Sequence, residues 1–431
     1  MSVPALKAFR GTVVHALRDP GRGDDDAVEC FEDGVLCVAD GLVQQVGPAD
    51  AVLARLPPDL TVTDCRGKLI MPGMVDTHLH YPQVDVIASY GAQLLDWLEN
   101  YTFPAESRFD DDALARETAA FFLDELLRNG TTTALVFATV HPGSVDVLFE
   151  AARARGMRLA AGKVLMDRNC PATLRDTAES GYRDSLALID KWHGVDRLSY
   201  AITPRFAITS SDAQLDAAGR LARERPDVYV QTHLAENISE VAWTARLFPD
   251  RRSYLDVYEH SGLLRERSVY AHCIHLDDTD RARMGEAGAA AAFCPTSNLF
   301  LGSGLYDLAA ADGHGIRTGM GTDVGGGTSF SLFRTLGEAY KVLQLQGQSL
   351  APLRAFYLAT LGGARALYLD ERIGNFEIGK EADFLVVDPA ATPLSARRFA
   401  LCRGVVEKLF ALFMLGDDRH IDAVYLRGAK V

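Results

Sequence analysis

Met71-Pro72-Gly73-Met74-Val75-Asp76-Thr77-His78-Leu79-His80 is the stretch on which the fold reading turns. Met74 to His80 has the length and apolar texture of a short buried strand. Side chains alternate across a strand, so His78 and His80, two apart, point to one face. Two convergent imidazoles are half of a zinc site. A lone His-x-His also arises by chance and in buried cores, so the reading needs partners from elsewhere in the chain. Met71-Pro72-Gly73 just upstream places the pair at the entrance to a barrel.

Beyond this strand the periods alternate. Strands are expected at Met74–His80, Thr131–Val140, Arg158–Asp167, Leu198–Phe206, Val228–Leu234, Ser268–His275, Ala289–Cys294 and Ile316–Thr322. Amphipathic helical runs separate most of them. The clearest is Asp111–Arg128, with Leu114, Phe121, Phe122 and Leu126 at near-helical spacing. Eight strands alternating with helices specify an α/β fold, a parallel (β/α)8 TIM barrel, whose sites lie at the C-terminal strand ends. The flanks read differently. Phe9–Ala16, a hairpin of Gly34–Asp40 and Gly41–Val46 turning at Ala39-Asp40-Gly41, Ala382–Val387 and Ala423–Leu426 all look like strands. Neither flank can bury a core alone. Both chain ends are therefore expected to pair into one small β-sandwich domain, residues 1–70 with 371–431, around a hydrolase barrel over 71–370. The connection Tyr81–Arg108 is long and aromatic (Tyr81, Tyr90, Trp97, Tyr101, Phe103), with a helix expected at Gln93–Glu99. Connections this long within compact domains are usually functional, and this one is expected to cover the barrel mouth.

The chain has 431 residues, which suits a barrel of roughly 250–350 residues plus an accessory domain. A formal charge of −14 argues against nucleic acid as a partner but leaves a neutral small molecule open. The seven scattered cysteines contain no C-x-x-C pair and fit a reducing compartment. Residues 1–20 lack a signal-peptide core, and no apolar run of about 18 residues is present. A cytoplasmic protein with no membrane partner is expected.

Three more strand ends offer chemistry. Gln231-Thr232-His233-Leu234-Ala235-Glu236 ends the fifth strand, Tyr270-Ala271-His272-Cys273 the sixth, and Gly321-Thr322-Asp323 the eighth, with Gly325-Gly326-Gly327 following. Glu236 stands three residues after His233, so it reaches the same pocket only if the chain turns after Leu234. Singly, each has a plainer reading: a core histidine, or a helix cap for Asp323 and Glu236. Their joint occurrence at strand ends of one barrel argues for a metal site.

PGMVDTHLH, THLAE, YAHC, GTD and IGNFEIGKEADFLVVD resemble motifs of the amidohydrolase superfamily. Within it, the segments His78-Leu79-His80-Tyr81-Pro82-Gln83, Tyr90–Glu106, Met166-Asp167-Arg168-Asn169 and Thr203-Pro204-Arg205-Phe206 resemble the guanine deaminases, from about residue 9 to 431. The resemblance implies one Zn2+ per chain on His78, His80, His233 and Asp323. It implies substrate contacts from Gln83, Arg205 and Phe206, and a catalytic set that includes Glu236 and His272. Homodimerisation is implied only by this resemblance.

The expected reaction is hydrolysis of guanine to xanthine and ammonia, a step of purine catabolism. Asp323 is the natural acceptor of the proton from water. His272 steadies the attacking oxygen, and Glu236 protonates N3 and then the leaving amine; both also contact the substrate. Arg205 carries only donors, which suits the O6 carbonyl of guanine. The other zinc-deaminase type, with H-x-E and P-C-x-x-C, is absent, since Cys294-Pro295 has the reverse order. Rival readings are a related deaminase acting on 8-oxoguanine, an aminotriazine or cytosine; a two-metal hydrolase bridged by Lys163; and a barrel that has lost catalysis. Among the remaining histidines, His141 at the end of the second strand is the one to watch.

Overall fold

The structure is a computed structural model that describes residues 6–21, 23–91 and 93–431. Residues 1–5 and Arg22 of the expected small domain, and Ala92 of the long connection, lie outside the described residues. The chain begins with β1 (Lys7–Ala16), β2 (Val28–Ala39), β3 (Leu42–Pro48) and β4 (Val62–Pro72). Asp40 and Gly41 form the two-residue turn between β2 and β3, both at positive φ (54° and 78°), as the tight hairpin geometry requires. After the barrel come β14 (Phe384–Val387), β15 (Ile421–Leu426) and β16 (Ala429–Lys430). The two ends join in one seven-stranded mixed sheet, ordered β16-β15-β14-β4-β1-β2-β3. In a flat sheet β1 and β15, three strands apart, would be about 14 Å from each other. Yet the rings of Phe9 and Tyr425 are centred 5.0 Å apart, so the sheet curls over its own core. That core holds Val13, Leu36, Ile70 and Phe384. The C-terminal end is not all strand. The apolar run VVEKLFALFML forms a helix, Val405–Leu415, whose Phe413 meets Phe333 of the helix Leu332–Leu345.

Between the flanks lie β5 (Met74–His80), β6 (Thr131–Phe137), β7 (Arg158–Gly162), β8 (Val164–Leu165), β9 (Leu198–Pro204), β10 (Tyr229–Leu234), β11 (Ser268–His272), β12 (Ala290–Phe293) and β13 (Arg317–Met320). They pair in parallel in the order β13-β12-β11-β10-β9-β7-β6-β5, with β8 paired to β9. Helices lie between most of them. This is the expected TIM barrel. The single strand expected over Arg158–Asp167 is broken at Lys163 into β7 and β8.

Closure between β5 and β13 is made by particular bonds. Thr77 Oγ1 donates to the Met320 carbonyl at 2.9 Å, the Asp323 amide to the His78 carbonyl at 2.9 Å, and the His80 amide to the Val324 carbonyl at 2.7 Å. The helix Asp112–Arg128 is capped by Asp111 and buries Ala115, Ala119, Phe122 and Leu126. These follow the helical period. Phe121, adjacent to Phe122 and so rotated about 100° from it, is exposed.

The opposite end of the barrel, where the strands begin, is tied to the curled sheet by ions. Arg158 meets Glu381 at 2.5 Å, Arg197 meets Glu381 at 2.7 Å, and Arg197 also pairs with Asp383. Asp383 accepts from the Arg427 amide as well, at 2.8 Å. Arg197 and Asp383 are both buried. Removing one partner of a buried pair strands the other charge, which costs about 3–5 kcal/mol. Asp383→Ala should therefore lower unfolding free energy by about that amount while leaving the distant barrel mouth working. Urea titration followed by an activity assay in native buffer checks both halves of this expectation.

Candidate active site

The two histidines of β5 converge with groups from two other strand ends. His78 Nε2 lies 3.2 Å from Asp323 Oδ1, and His80 Nε2 lies 3.4 Å from the same oxygen. His80 Nε2 is 3.2 Å from His233 Nε2. A cation with bonds of about 2.0–2.2 Å and ligand angles between about 90° and 120° holds its donor atoms about 2.8–3.8 Å apart. These spacings fit. His78, His80 and His233 form one group able to hold a metal ion, and His78, His272 and Asp323 an overlapping one. Nε2 of His78 is buried without a hydrogen-bond partner, as a ligand atom facing a cation would be.

The second ring nitrogen of His233 decides its tautomer. Nδ1 lies 2.6 Å from the Arg205 carbonyl oxygen. A carbonyl only accepts, so the proton sits on Nδ1 and the Nε2 lone pair faces the cluster. This is the usual means of orienting a metal-binding imidazole. Beneath the rings lies Phe137, at the end of β6, centred 4.6 Å from His80, 4.8 Å from His233 and 5.1 Å from His78.

Backbone geometry aims the remaining groups. Ala235, His272 and Asp323 take left-handed conformations, with φ of 49°, 70° and 51°. Such residues mark positions held by their surroundings. At Ala235 the chain turns out of β10, and that turn brings Glu236 to the side of the pocket occupied by His233. Ser303 Oγ donates to Glu236 Oε1 at 2.8 Å, and His272 Nε2 stands 3.3 Å from Glu236 Oε2. Glu240 holds the local backbone, its Oε2 accepting from the amides of Glu236 (2.9 Å) and Asn237 (3.0 Å). Neither Glu236 nor Asp323 caps a helix: Asn237 caps Ile238–Leu247, and the helix after Asp323 starts beyond Ser331.

Burial sets the electrostatics. It pushes the His78 imidazolium down to about 3, with Arg205 adding to the effect. His80 and His233 are held well below the usual value by burial and then by neighbouring positive groups. The imidazoles are therefore neutral, with lone pairs free. Burial, then the nearby Asp323 carboxylate, raises the Glu236 carboxyl well above its ordinary range, against the Ser303 hydrogen bond. Such an acid holds a proton that it can deliver. Burial also raises Asp76, to about 7, against hydrogen bonds from Thr322 and His78.

The pocket over this cluster is lined by Gln83, Leu94, Trp97, Leu98, Arg205, Phe206, Glu236, Leu301 and others. Leu94, Trp97 and Leu98 come from the long connection after β5. Only Leu94–Trp97 of the helix expected at Gln93–Glu99 is α-helical; a wider π-type turn, Leu98–Thr102, and a short helix, Phe103–Glu106, follow. All the residues expected at the site are gathered here: His78, His80, Gln83, Arg205, Phe206, His233, Glu236, His272 and Asp323.

Arg168 and Asn169 are elsewhere. They donate to the Ala207 (3.1 Å) and Ile208 (2.8 Å) carbonyls and clamp the chain after Phe206. His141 precedes the helix Pro142–Arg155 and does not line the pocket. Lys163 is committed to Asp176 at 2.5 Å and to the Val164 carbonyl at 3.2 Å, so it bridges no metals. Sequence reasoning missed Glu106, Glu240, Ser303 and Phe137. For Glu106 a signal existed: an acid closing an aromatic segment, in a chain whose Arg205 needs a counter-charge once buried.

The amidohydrolase family model matches residues 69–431. Guanine deaminase of Escherichia coli is 53% identical over 428 residues, 99% of this chain and 98% of that protein. Its solved structure superimposes with a TM-score of 0.97 over 99% of both chains. Guanine deaminase from Bradyrhizobium japonicum has a TM-score of 0.94 at 39% identity, covering 99% of each chain. Guanine deaminase from Clostridium acetobutylicum, solved with guanine bound in its active site, has a TM-score of 0.89 at 30% identity, covering 99% of this chain and 100% of that one. The chain belongs to the amidohydrolase family, on its guanine deaminase branch.

Proposed function

We propose that this chain hydrolyses the 2-amino group of guanine, giving xanthine and ammonia, with one zinc ion held by His78, His80, His233 and Asp323. The observation that carries the reading is the convergence of three imidazoles and a carboxylate, with the buried Glu236 carboxyl 3.3 Å from His272 beside them. Guanine is preferred over 8-oxoguanine, an aminotriazine or cytosine because the full-length relatives are guanine deaminases. With the reading go a cytoplasmic homodimer acting in purine catabolism on guanine and water, and a division into residues 1–70 with 371–431 and a barrel over 71–370.

Zinc held by these four residues would supply the Lewis acidity that makes water a nucleophile at neutral pH. The protein does the rest. Asp323 accepts the water's proton. His272 hydrogen-bonds the attacking oxygen and holds its approach. Glu236 protonates N3, so that C2 becomes electrophilic; after addition at C2 it takes the proton of the new hydroxyl and delivers it to the amine, which leaves as ammonia, and the proton held by Asp323 then passes to Glu236 and restores both groups. Gln83 and Arg205 fix the base in the plane that puts C2 near Glu236. Phe206 and Trp97 exclude water from its faces.

Three outcomes test this. Loss of guanine absorbance should stop after exhaustive chelation and return with zinc; turnover that persists in metal-free protein would end the metal-site reading. Glu236→Gln should keep its zinc and lose about 10²–10⁴ in kcat, and near-normal turnover would remove Glu236 from the proton path. Arg205→Ala should weaken guanine binding and lower stability, because it leaves Glu106 buried without its partner. Zinc content should hold, since the carbonyl that orients His233 belongs to the backbone. Metal analysis beside KM separates these effects.

A further inference from the structure

Glu106 is fully buried in the connection after β5 and stands behind two residues of the pocket wall. Its Oε2 accepts from Nη1 of Arg205 at 2.6 Å, and its Oε1 accepts from Nε2 of Gln83 at 2.9 Å. On the other side of Gln83, the Gly325 amide donates to Oε1 at 3.3 Å. A methyl group on Gly325 would lie 2.5 Å from the Gln83 carbonyl oxygen, so glycine permits this approach.

These partners remove an ambiguity. A carboxamide can turn over and exchange donor for acceptor. Here one side of Gln83 meets a carboxylate, which only accepts, and the other meets a backbone N–H, which only donates. Turning the amide would set oxygen against oxygen and N–H against N–H. Its orientation is thus fixed before any ligand arrives, with one N–H and one lone pair left over. Arg205 is held in the same way. One edge of its guanidinium is bound to Glu106, and the Phe103 ring lies 5.4 Å from its central carbon. Its other N–H groups remain for the pocket.

We propose that Glu106 is the positioning residue that sets base specificity, fixing through Arg205 and Gln83 the donor and acceptor edge that the purine meets. The inference rests on the reading of Arg205 and Gln83 as base contacts. Glu106 touches neither substrate nor metal. It writes the hydrogen-bond pattern through the two residues that do touch the base, and it supplies the negative charge that keeps Arg205 buried there. Sites with a fixed polar pattern reject a mismatched ring far more strongly than apolar pockets do.

The test is a charge swap. In Glu106→Gln, one amide must serve two donors. If its oxygen stays with Arg205, its NH2 faces the NH2 of Gln83, and Gln83 turns over. KM for guanine and Kd for xanthine, read by calorimetry, should each rise about 10- to 100-fold, with a much smaller change in kcat and unchanged zinc content. The double variant E106Q/Q83E restores a donor facing an acceptor, keeps the Gly325 bond and keeps the net charge. However, the carboxylate introduced at position 83 has no N–H for the base. Its thermal midpoint should return toward wild type while KM and Kd stay raised. Because Gln83 is itself a base contact, that rise is compared with Q83E alone; the rise of KM with little change of kcat in E106Q is what a merely structural Glu106 would not produce.

If E106Q does not fold, Glu106→Asp, which keeps the charge but shortens its reach to Gln83 and Arg205, carries the same comparison. Wild-type KM and xanthine affinity in E106Q, or in the double variant, would overturn the inference. Gln83→Ala and Arg205→Ala serve as controls. If both bind normally, the base-contact reading itself fails; if both bind weakly while E106Q binds normally, only the role of Glu106 fails.

Discussion

Three buried imidazoles and a carboxylate, with His78 and His80 Nε2 at 3.2 and 3.4 Å from Asp323 Oδ1 and His80 Nε2 at 3.2 Å from His233 Nε2, are the constraint around which this molecule is arranged. Lone pairs at such spacing repel unless a positive charge lies among them. Burial blocks the protein's simplest remedy, which would be to protonate a histidine: His78, His80 and His233 are all held below their ordinary range. The cluster is therefore built for a cation rather than for itself. A cation bound there would let an aspartate and a nearby glutamate share one small volume.

Holding that cluster requires a rigid mouth, and the barrel supplies it where its first and last strands meet. Asp76 is buried at this seam. It accepts from the Thr322 hydroxyl at 2.5 Å and from the amides of Thr322 (3.1 Å) and His78 (3.2 Å). One carboxylate thereby joins the residue before Asp323 to the residue that carries the first imidazole. The left-handed turns at Ala235, His272 and Asp323 do the same work at the other strand ends. The long connection after β5 supplies one side of the pocket. Leu94, Trp97 and Leu98 form its wall, and Glu106 anchors that wall to Arg205 from behind.

Much of this was legible in the amino-acid sequence. The alternation of strand and helix periods located every barrel strand, because a buried parallel strand needs a short apolar run and the helix after it needs an amphipathic face. The spacing of His78 and His80 placed both on one face, since strand geometry leaves no other choice. The break at Lys163 was not legible. Lys163 is buried there against Asp176, thirteen residues away in the chain and beyond any period. The stripe on Asp112–Arg128 was legible in period but not in phase: Phe121 and Phe122 are neighbours of equal hydrophobicity, and only docking against the barrel buries one and exposes the other.

What the sequence by itself determined is the order of elements, the inward pairing of two histidines and the set of chemically capable residues at strand ends. These follow from local rules that act within a few residues. Only the tertiary structure decided how those residues face one another. It put Nε2 of His233 toward His80 by giving Nδ1 to the Arg205 carbonyl. It turned Glu236 into the pocket at Ala235 and set Glu106 behind two pocket residues. Each of these depends on contacts between segments 23 to 153 residues apart, whose geometry comes into being only when the barrel closes.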